Sequence, residues 1–408
     1  MAKAAAASER IEILDALRGF ALLGILFANI LVWSGWVLMT DAQRLDFGGP
    51  ETVARQYRFH HLLIDGKFYT LFSLLFGAGF ALQIARLAAR GADGMRIYRR
   101  RVLVLLAIGL VHSWLIWDGD ILTIYALLGL VLPLFHRWSE RALLIAAAAL
   151  IFVVPPLGIE LFSLLGWKPH EWLYGLSFAM AEALGANTAP DQAIAWVRRD
   201  DFMGWFSWTF SGTPYSWGLR VESWRIPKVL GIMLLGMAVG RRLVGGGLLD
   251  DARLLRRILI AGAAIGLPAT LVYAAVPRLG QGDWPSIIGT VPLALAYAAA
   301  FVLVWPRAHG VLRHLAPVGR MALTNYLTHS VLGTLIFYGI GGGLVGRLQP
   351  VAIYGVAIAI FLAQVAFSRW WLDRHEQGPA EAFWRMCTYG SRRWRAALQP
   401  RALPPAAP

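Results

Sequence analysis

Cysteine is almost absent: Cys387 is the single one in 408 residues, so neither an internal disulfide nor a thiolate metal cluster can form. Charge is scarce as well. Asp, Glu, Lys and Arg make up 15% of the chain, against about 25% in soluble proteins. There is no Cys-x-x-Cys pair, Walker loop, glycine-rich dinucleotide fingerprint or His-Glu-x-x-His helix, which removes the commonest nucleotide and zinc chemistries. The formal net charge of +14 invites a nucleic-acid reading. The arginines, however, lie in short segments between apolar runs and build no basic domain. They suit anionic lipid headgroups, and no nucleic-acid partner is expected. Nor is a metal, since the spacing brings no three or four ligands together.

What the chain has in abundance is apolar length: 58% of residues are hydrophobic. A bilayer span takes about 20 such residues. The candidate runs are 14–38, 64–88, 102–117, 120–136, 141–165, 226–247, 256–277, 286–305, 317–340 and 349–372. They predict an all-α polytopic membrane bundle of about ten transmembrane helices, a single domain over 1–398 with a Pro/Ala-rich disordered tail at 399–408. The first run is too long for a signal peptide and is read as an uncleaved helix. The third and fourth, joined by Asp118-Gly119-Asp120, read as a tight helical hairpin. Arginine-rich connections after the second, sixth and eighth runs and after the last alternate with arginine-poor ones, which places both termini in the cytoplasm. Residues 166–224 form a long outward loop, with an interfacial helix expected over 191–210. Tryptophans near the run ends (Trp33, Trp36, Trp114, Trp117, Trp167, Trp305, Trp370, Trp371) suggest interfacial belts. Gly236-x-x-x-Gly240 and Gly262-x-x-x-Gly266 read as close-packing helix faces.

Polar groups inside apolar runs are costly and mark candidate sites. Asp15 and Arg18 share one helix face, either as an ion pair or with Arg18 turned to an anionic ligand; Asn29 lies about 22 Å further along. His61 and Asp65, four apart, are spaced to pair as an oriented base, or to serve as interfacial polar groups. His112 lies within the third run, where the hairpin can fold Asp118 or Asp120 back toward it, for proton handling or to lock the turn. Asn325 and His329 stack on one face of the ninth run, nine or fewer residues past Arg320, for chemistry or for interhelical packing. Asn29, His112, Asn325 and His329 are expected to line one internal cavity.

Leu14-Asp15-Ala-Leu-Arg18-Gly-Phe-Ala-Leu-Leu-Gly-Ile-Leu-Phe-Ala-Asn29 resembles the opening of the YeiB-like bacterial inner-membrane family. Gly66-Lys67-Phe-Tyr-Thr-Leu-Phe-Ser-Leu-Leu-Phe-Gly-Ala-Gly-Phe80 and Gly119-Asp-Ile-Leu-Thr-Ile-Tyr125-Ala126 resemble its next signatures. Val318-Gly-Arg320-Met-Ala-Leu-Thr-Asn325-Tyr-Leu327 and Gly378-Pro-Ala-Glu-Ala-Phe-Trp-Arg-Met-Cys-Thr-Tyr-Gly390 resemble its C-terminal half, domain of unknown function 418. The resemblance covers roughly 10–395; Ala380 departs from a usually larger apolar residue. The family is more distantly similar to transmembrane acyltransferases, which share the Asp-x-x-Arg-Gly start and pass an acyl group from cytoplasmic acyl-CoA to an acceptor across the membrane.

That resemblance implies a multi-pass protein of the bacterial inner membrane, with acyl-CoA as donor and a small-molecule, lipid or glycan acceptor. It allows for a homo-oligomer. The candidate catalytic groups are His112, Asp120, His61 and His329. Those acyltransferases include a lysosomal glucosaminide N-acetyltransferase whose histidine lies between the spans matching 14–38 and 64–88; His60 and His61 lie in that region, with a different spacing to Asp65. Candidate ligand-binding groups are Asp15, Arg18, Asn29, Lys67, Tyr125, Arg320 and Asn325, with Arg18 and the arginines of 96–101 toward the CoA phosphates and Asn29 or Asn325 toward an oxyanion. The alternative is a small-molecule or lipid transporter using the same polar groups as a solute or proton path.

Overall fold

The computed structural model describes residues 2–89, 91 and 93–390; the tail expected at 399–408 lies outside the described residues. Every regular element among them is a helix. The order is α1 (Ala2–Trp33), α2 (Asp41–Phe59), α3 (Lys67–Ala88), α4 (Gly94–Leu115), α5 (Leu122–Val131), α6 (Glu140–Ala148), α7 (Val154–Leu164), α8 (Pro169–Ala183) and α9 (Ala193–Val197). Then follow α10 (Phe202–Glu222), α11 (Arg225–Gly245), α12 (Ala252–Ala275), α13 (Trp284–Leu312), α14 (Ala316–Arg320), α15 (Ala322–Phe337), α16 (Pro350–Leu372) and α17 (Pro379–Tyr389).

Six stretches are long and apolar enough to cross a membrane: Glu12–Trp33, Asp41–Ala88, Glu140–Leu164, Ala252–Ala275, Trp284–Arg320 and Pro350–Leu372. The other expected runs are helical too, but α5 and α15 are short, with 10 and 16 residues. α4 and α11 carry arginines or lysine near their ends. Large apolar side chains point outward along the long helices, Val351 at 85% exposure and Leu164 at 76%. In water such a surface would be penalised; against hydrocarbon it is matched.

Small residues set the helix contacts. α3 and α11 run side by side in the same direction, and a Cβ at Gly77 or Gly236 would fall 2.0 Å from the Met233 carbonyl oxygen or 2.1 Å from that of Leu74. Gly262 and Gly266 do the same between α12 and α13, so both glycine motifs are packing faces. α1 meets the chain around α14 at Gly19 and Gly319, which brings Asp15 and Arg320 to one wall.

Two expectations are corrected. Trp33, Trp36, Trp117 and Trp305 are fully buried in the bundle rather than belted at an interface; Trp167 and Trp370 are the exposed ones. The 166–224 connection is largely helical, and its expected 191–210 helix is broken at 198–201, where Asp201 accepts the Gly204 N–H and starts α10. α10 lies over the α4–α5 hairpin. Thr213 Oγ1 donates to the Ser113 carbonyl at 2.6 Å, Ser216 Oγ to Asp118 at 3.3 Å, and the Arg220 guanidinium to the Asp120 carbonyl.

Candidate functional site

The hairpin builds the central feature. Asp120, two residues ahead of α5, accepts the N–H of Leu122 at 3.0 Å and of Thr123 at 2.6 Å in its first turn. The His112 ring, on the last turns of α4, approaches the same carboxylate with Nδ1 at 2.9 Å. An ionised carboxylate only accepts, so Nδ1 is the donor there and the neutral ring keeps Nε2 as acceptor. Nε2 lies 2.9 Å from Ser330 Oγ on α15. His112, Asp120 and Ser330 are all buried. A serine hydroxyl, an imidazole and a carboxylate in this order form the connectivity of an activated nucleophile.

Beside it opens a cavity of about 650 Å³, within the range of small-molecule sites. One end is basic, lined by Arg18, Arg86, Arg101, Arg320 and Arg385 with the acids Asp15 and Glu381. Arg18 pairs with Asp15 at 2.5 Å. Three of the others contact neutral groups: Arg101 covers the Trp384 ring at 4.0 Å, Arg385 donates to Gln377 Oε1 at 2.9 Å, and Arg320 to the Glu376 carbonyl at 3.3 Å. The deep end is apolar and aromatic, with Phe72, Phe76, Leu105, Leu122, Tyr125 and Tyr326. Tyr326 separates it from the histidine, its ring 5.4 Å from that of His112 and its oxygen accepting the Ile121 N–H at 3.0 Å. Tyr125 meets Ser73 Oγ at 2.7 Å and donates to the Tyr69 carbonyl at 3.0 Å.

α17 roofs the basic end. Glu381 accepts from the N–H of Leu323 and Thr324 and from the Thr324 hydroxyl, capping α15. Burial raises its carboxyl above the ordinary glutamate value, against those hydrogen bonds.

The chain is 32% identical to the uncharacterized protein YxaH of Bacillus subtilis, over 94% of this chain and 95% of that one. It is 30% identical to the uncharacterized protein YeiB of Escherichia coli, over 93% and 96%. The chain belongs to the YeiB family. An uncharacterized 39.9 kDa protein from Bacillus acidopullulyticus is 29% identical over 94% of the chain. The family model described as a protein of unknown function (DUF418) matches residues 246–391. In this YeiB-family chain the matched part supplies Ser330, Tyr326 and Glu381; His112 and Asp120 precede it.

The sequence candidates divide. Asp15, Arg18, Tyr125 and Arg320 line the cavity. Of the arginines at 96–101, Arg101 lines it as well. Asn29, His112, Asn325 and His329 do not line it, correcting the expected common lining. Asn325 donates to the Val318 carbonyl and Ser368 Oγ, and His329 Nε2 meets Gln364 Oε1 at 2.7 Å. These contacts tie α15 to α16, the packing role. Asn29 is half-buried on α1 and outside the His112 network.

The expected His61–Asp65 pair is also corrected. Residues His60–Ile64 form a π-helical turn and Asp65 turns extended, with ψ 129, so the two no longer share a helical face. His61 Nδ1 meets the Tyr57 carbonyl at 2.9 Å, while Asp65 accepts from Tyr273 and Gln281. Lys67 is fully buried beside Asp65's turn, away from the cavity. Sequence reasoning missed Ser330, Tyr326, Arg86, Arg385 and Glu381. Ser330 directly follows His329, but a serine in an apolar helix ordinarily bonds its own backbone, so no local pattern marked it.

Proposed function

We propose that this YeiB-family chain is an acyltransferase of the bacterial inner membrane. It crosses the bilayer about ten times with both termini cytoplasmic, takes an acyl group from cytoplasmic acyl-CoA, and gives it to a hydroxyl or amine acceptor. The topology rests on the helicity of all ten apolar runs and on the gathering of cavity arginines at one end. The function rests on one observation: His112 bridges Asp120 and Ser330 beside a cavity with a basic mouth and an apolar floor.

The arginines at the mouth hold the CoA phosphates. The thioester reaches Ser330 past Tyr326. Ser330 Oγ attacks the thioester carbonyl as its proton passes to His112 Nε2, and Asp120 stabilises the imidazolium. Tyr326, whose oxygen already accepts from Ile121, donates its O–H to the developing oxyanion. The C–S bond breaks, and the departing thiolate takes the proton from His112. The acceptor then attacks acyl-Ser330 while His112 removes its proton and returns one to Ser330 Oγ, releasing an ester or amide.

The test uses purified protein and radiolabelled acyl-CoA. The wild type should retain a hydroxylamine-sensitive label that S330A lacks. D120N should lower transfer by roughly 10²–10⁴-fold and leave acyl-CoA affinity unchanged by calorimetry. R18Q should weaken that affinity by roughly ten- to a hundredfold. Transfer with no label on Ser330 would make His112 the direct base for the acceptor. No acyl-CoA binding, together with proton-driven solute uptake into liposomes, would replace the enzyme with the transporter.

A further inference from the structure

A second cluster of buried charge lies apart from the arginine cavity, where α3 and α11 begin. Lys67 and Lys228 are each 0% exposed, on the first turns of two helices that run side by side. Arg225 stands beside them, 5.2 Å over the Tyr69 ring. Lysine is almost never fully buried unless its charge is balanced. Here three cations surround one carboxylate, Asp65, and no ion pair joins any of them to an acid among the described residues. Asp65 instead accepts from Tyr273 and Gln281, each at 2.5 Å.

The cations are held in place but not neutralised. Lys228 Nζ donates to the Gln281 carbonyl at 2.9 Å, Lys67 Nζ to the His61 carbonyl, and Arg225 to Gln281 Oε1 at 2.5 Å. An ammonium has three N–H donors, so each lysine has two unspent. Arg225 Nε, Tyr69 Oη and His60 Nδ1 are buried there without partners. The backbone adds positive potential: neither α3 nor α11 has a side-chain cap, so both expose free N–H groups and the positive ends of their dipoles. Trp224, which starts α11, has a left-handed backbone at φ 50, the only non-glycine to do so among the described residues. Strain of this kind persists where a site over-determines the chain. Asp65, Gln281 and Arg225 are only partly buried, so the cluster is open at its rim.

We propose that Lys67, Arg225 and Lys228 form an anion-binding site for a phosphate or carboxylate group, carried by a lipid headgroup or by a soluble anion. An incoming anion supplies the missing negative charge and accepts the unspent donors. The site stands independently of the acyl-transfer reading.

The full chain in maltoside micelles, free of phosphate, provides the test. Inorganic phosphate should raise the thermal unfolding temperature of the wild type, and K67M and K228M should each weaken phosphate binding by about tenfold or more. Without phosphate these variants should unfold no lower than the wild type, because each removes a buried uncompensated cation. R320Q, in the arginine cavity, should keep the full rise, which separates the two anion sites. Phosphatidylglycerol added to the micelles forms the second arm. A rise with the lipid alone, lost in K67M or K228M, names the headgroup as the source; a rise with phosphate names a soluble anion. Should one variant fail to fold, the other carries the comparison, and filter-bound radiolabelled phosphate on the wild type should reach one lysine-dependent equivalent per chain. A wild type that responds to neither probe, or lysine variants that respond fully, would overturn the site.

Discussion

Thr324 gives both of its donors to Glu381: its backbone N–H at 3.2 Å and its hydroxyl at 2.6 Å. A helix at the end of the described chain thereby holds the first turn of the helix that carries Ser330.

That contact has a pH signature. Burial raises the Glu381 carboxyl above the ordinary glutamate value. The folded state therefore binds this proton more tightly than the unfolded one. The resulting stabilisation is complete below the ordinary glutamate value and is lost as pH rises through the raised value. The unfolding temperature of the wild type should fall over that window, and E381Q, which copies the neutral form, should flatten the fall. E381A should cost about 1–3 kcal/mol by leaving the α15 donors unpaired. Thermal unfolding at a series of pH values checks both.

Gly319 packs so closely on α1 that an added Cβ would lie 1.8 Å from the Asp15 carbonyl oxygen. G319A should destabilise the protein by about 1–3 kcal/mol. It should also weaken acyl-CoA binding, because the displaced wall carries Arg18 and Arg320. Unfolding and calorimetry on the same preparation test the pairing of the two effects; lost stability with intact affinity would separate them.

Asp65 and His61 should behave differently. D65N removes the one carboxylate among buried cations, a change worth about 3–5 kcal/mol. H61A loses a stacked ring, 3.7 Å from Tyr57, at a half-buried position, and should leave transfer near the wild-type rate. An H61A variant with transfer abolished would restore His61 as the base.

Topology is tested by labelling. With Cys387, the chain's single cysteine, replaced by serine, G282C should react with an impermeant thiol reagent in intact cells and G91C should not. The opposite pattern would invert the proposed orientation.

The helical runs were legible because apolar length is a local property. The hairpin at Asp118-Gly119-Asp120 was legible because two short runs met at a turn. What lay beyond reach was pairing between distant segments. The spacing of His61 and Asp65 implied a regular helix, and the π-helical turn ending at Asp65 removed it. Asn325 and His329 left chemistry and interhelical packing both open until Gln364 and Ser368 on α16 supplied their partners. Over 191–210 the mix of aromatics and charges suggested one interfacial helix, whereas the chain breaks at 198–201 and α10 buries Ser207, Thr209, Ser211 and Thr213 along its length.

The bond between His112 and Ser330 joins residues 218 positions apart. At a synthesis rate of about 5–20 residues per second, His112 waits roughly 10–40 s for its partner to emerge. Through that interval the hairpin's imidazole Nε2 stays unmatched, and for roughly its first half the hairpin also lacks α10 above it. Folding of this chain is therefore an ordered process with a vulnerable stage, in which the α4–α5 hairpin stays incomplete until α10 and then α15 arrive.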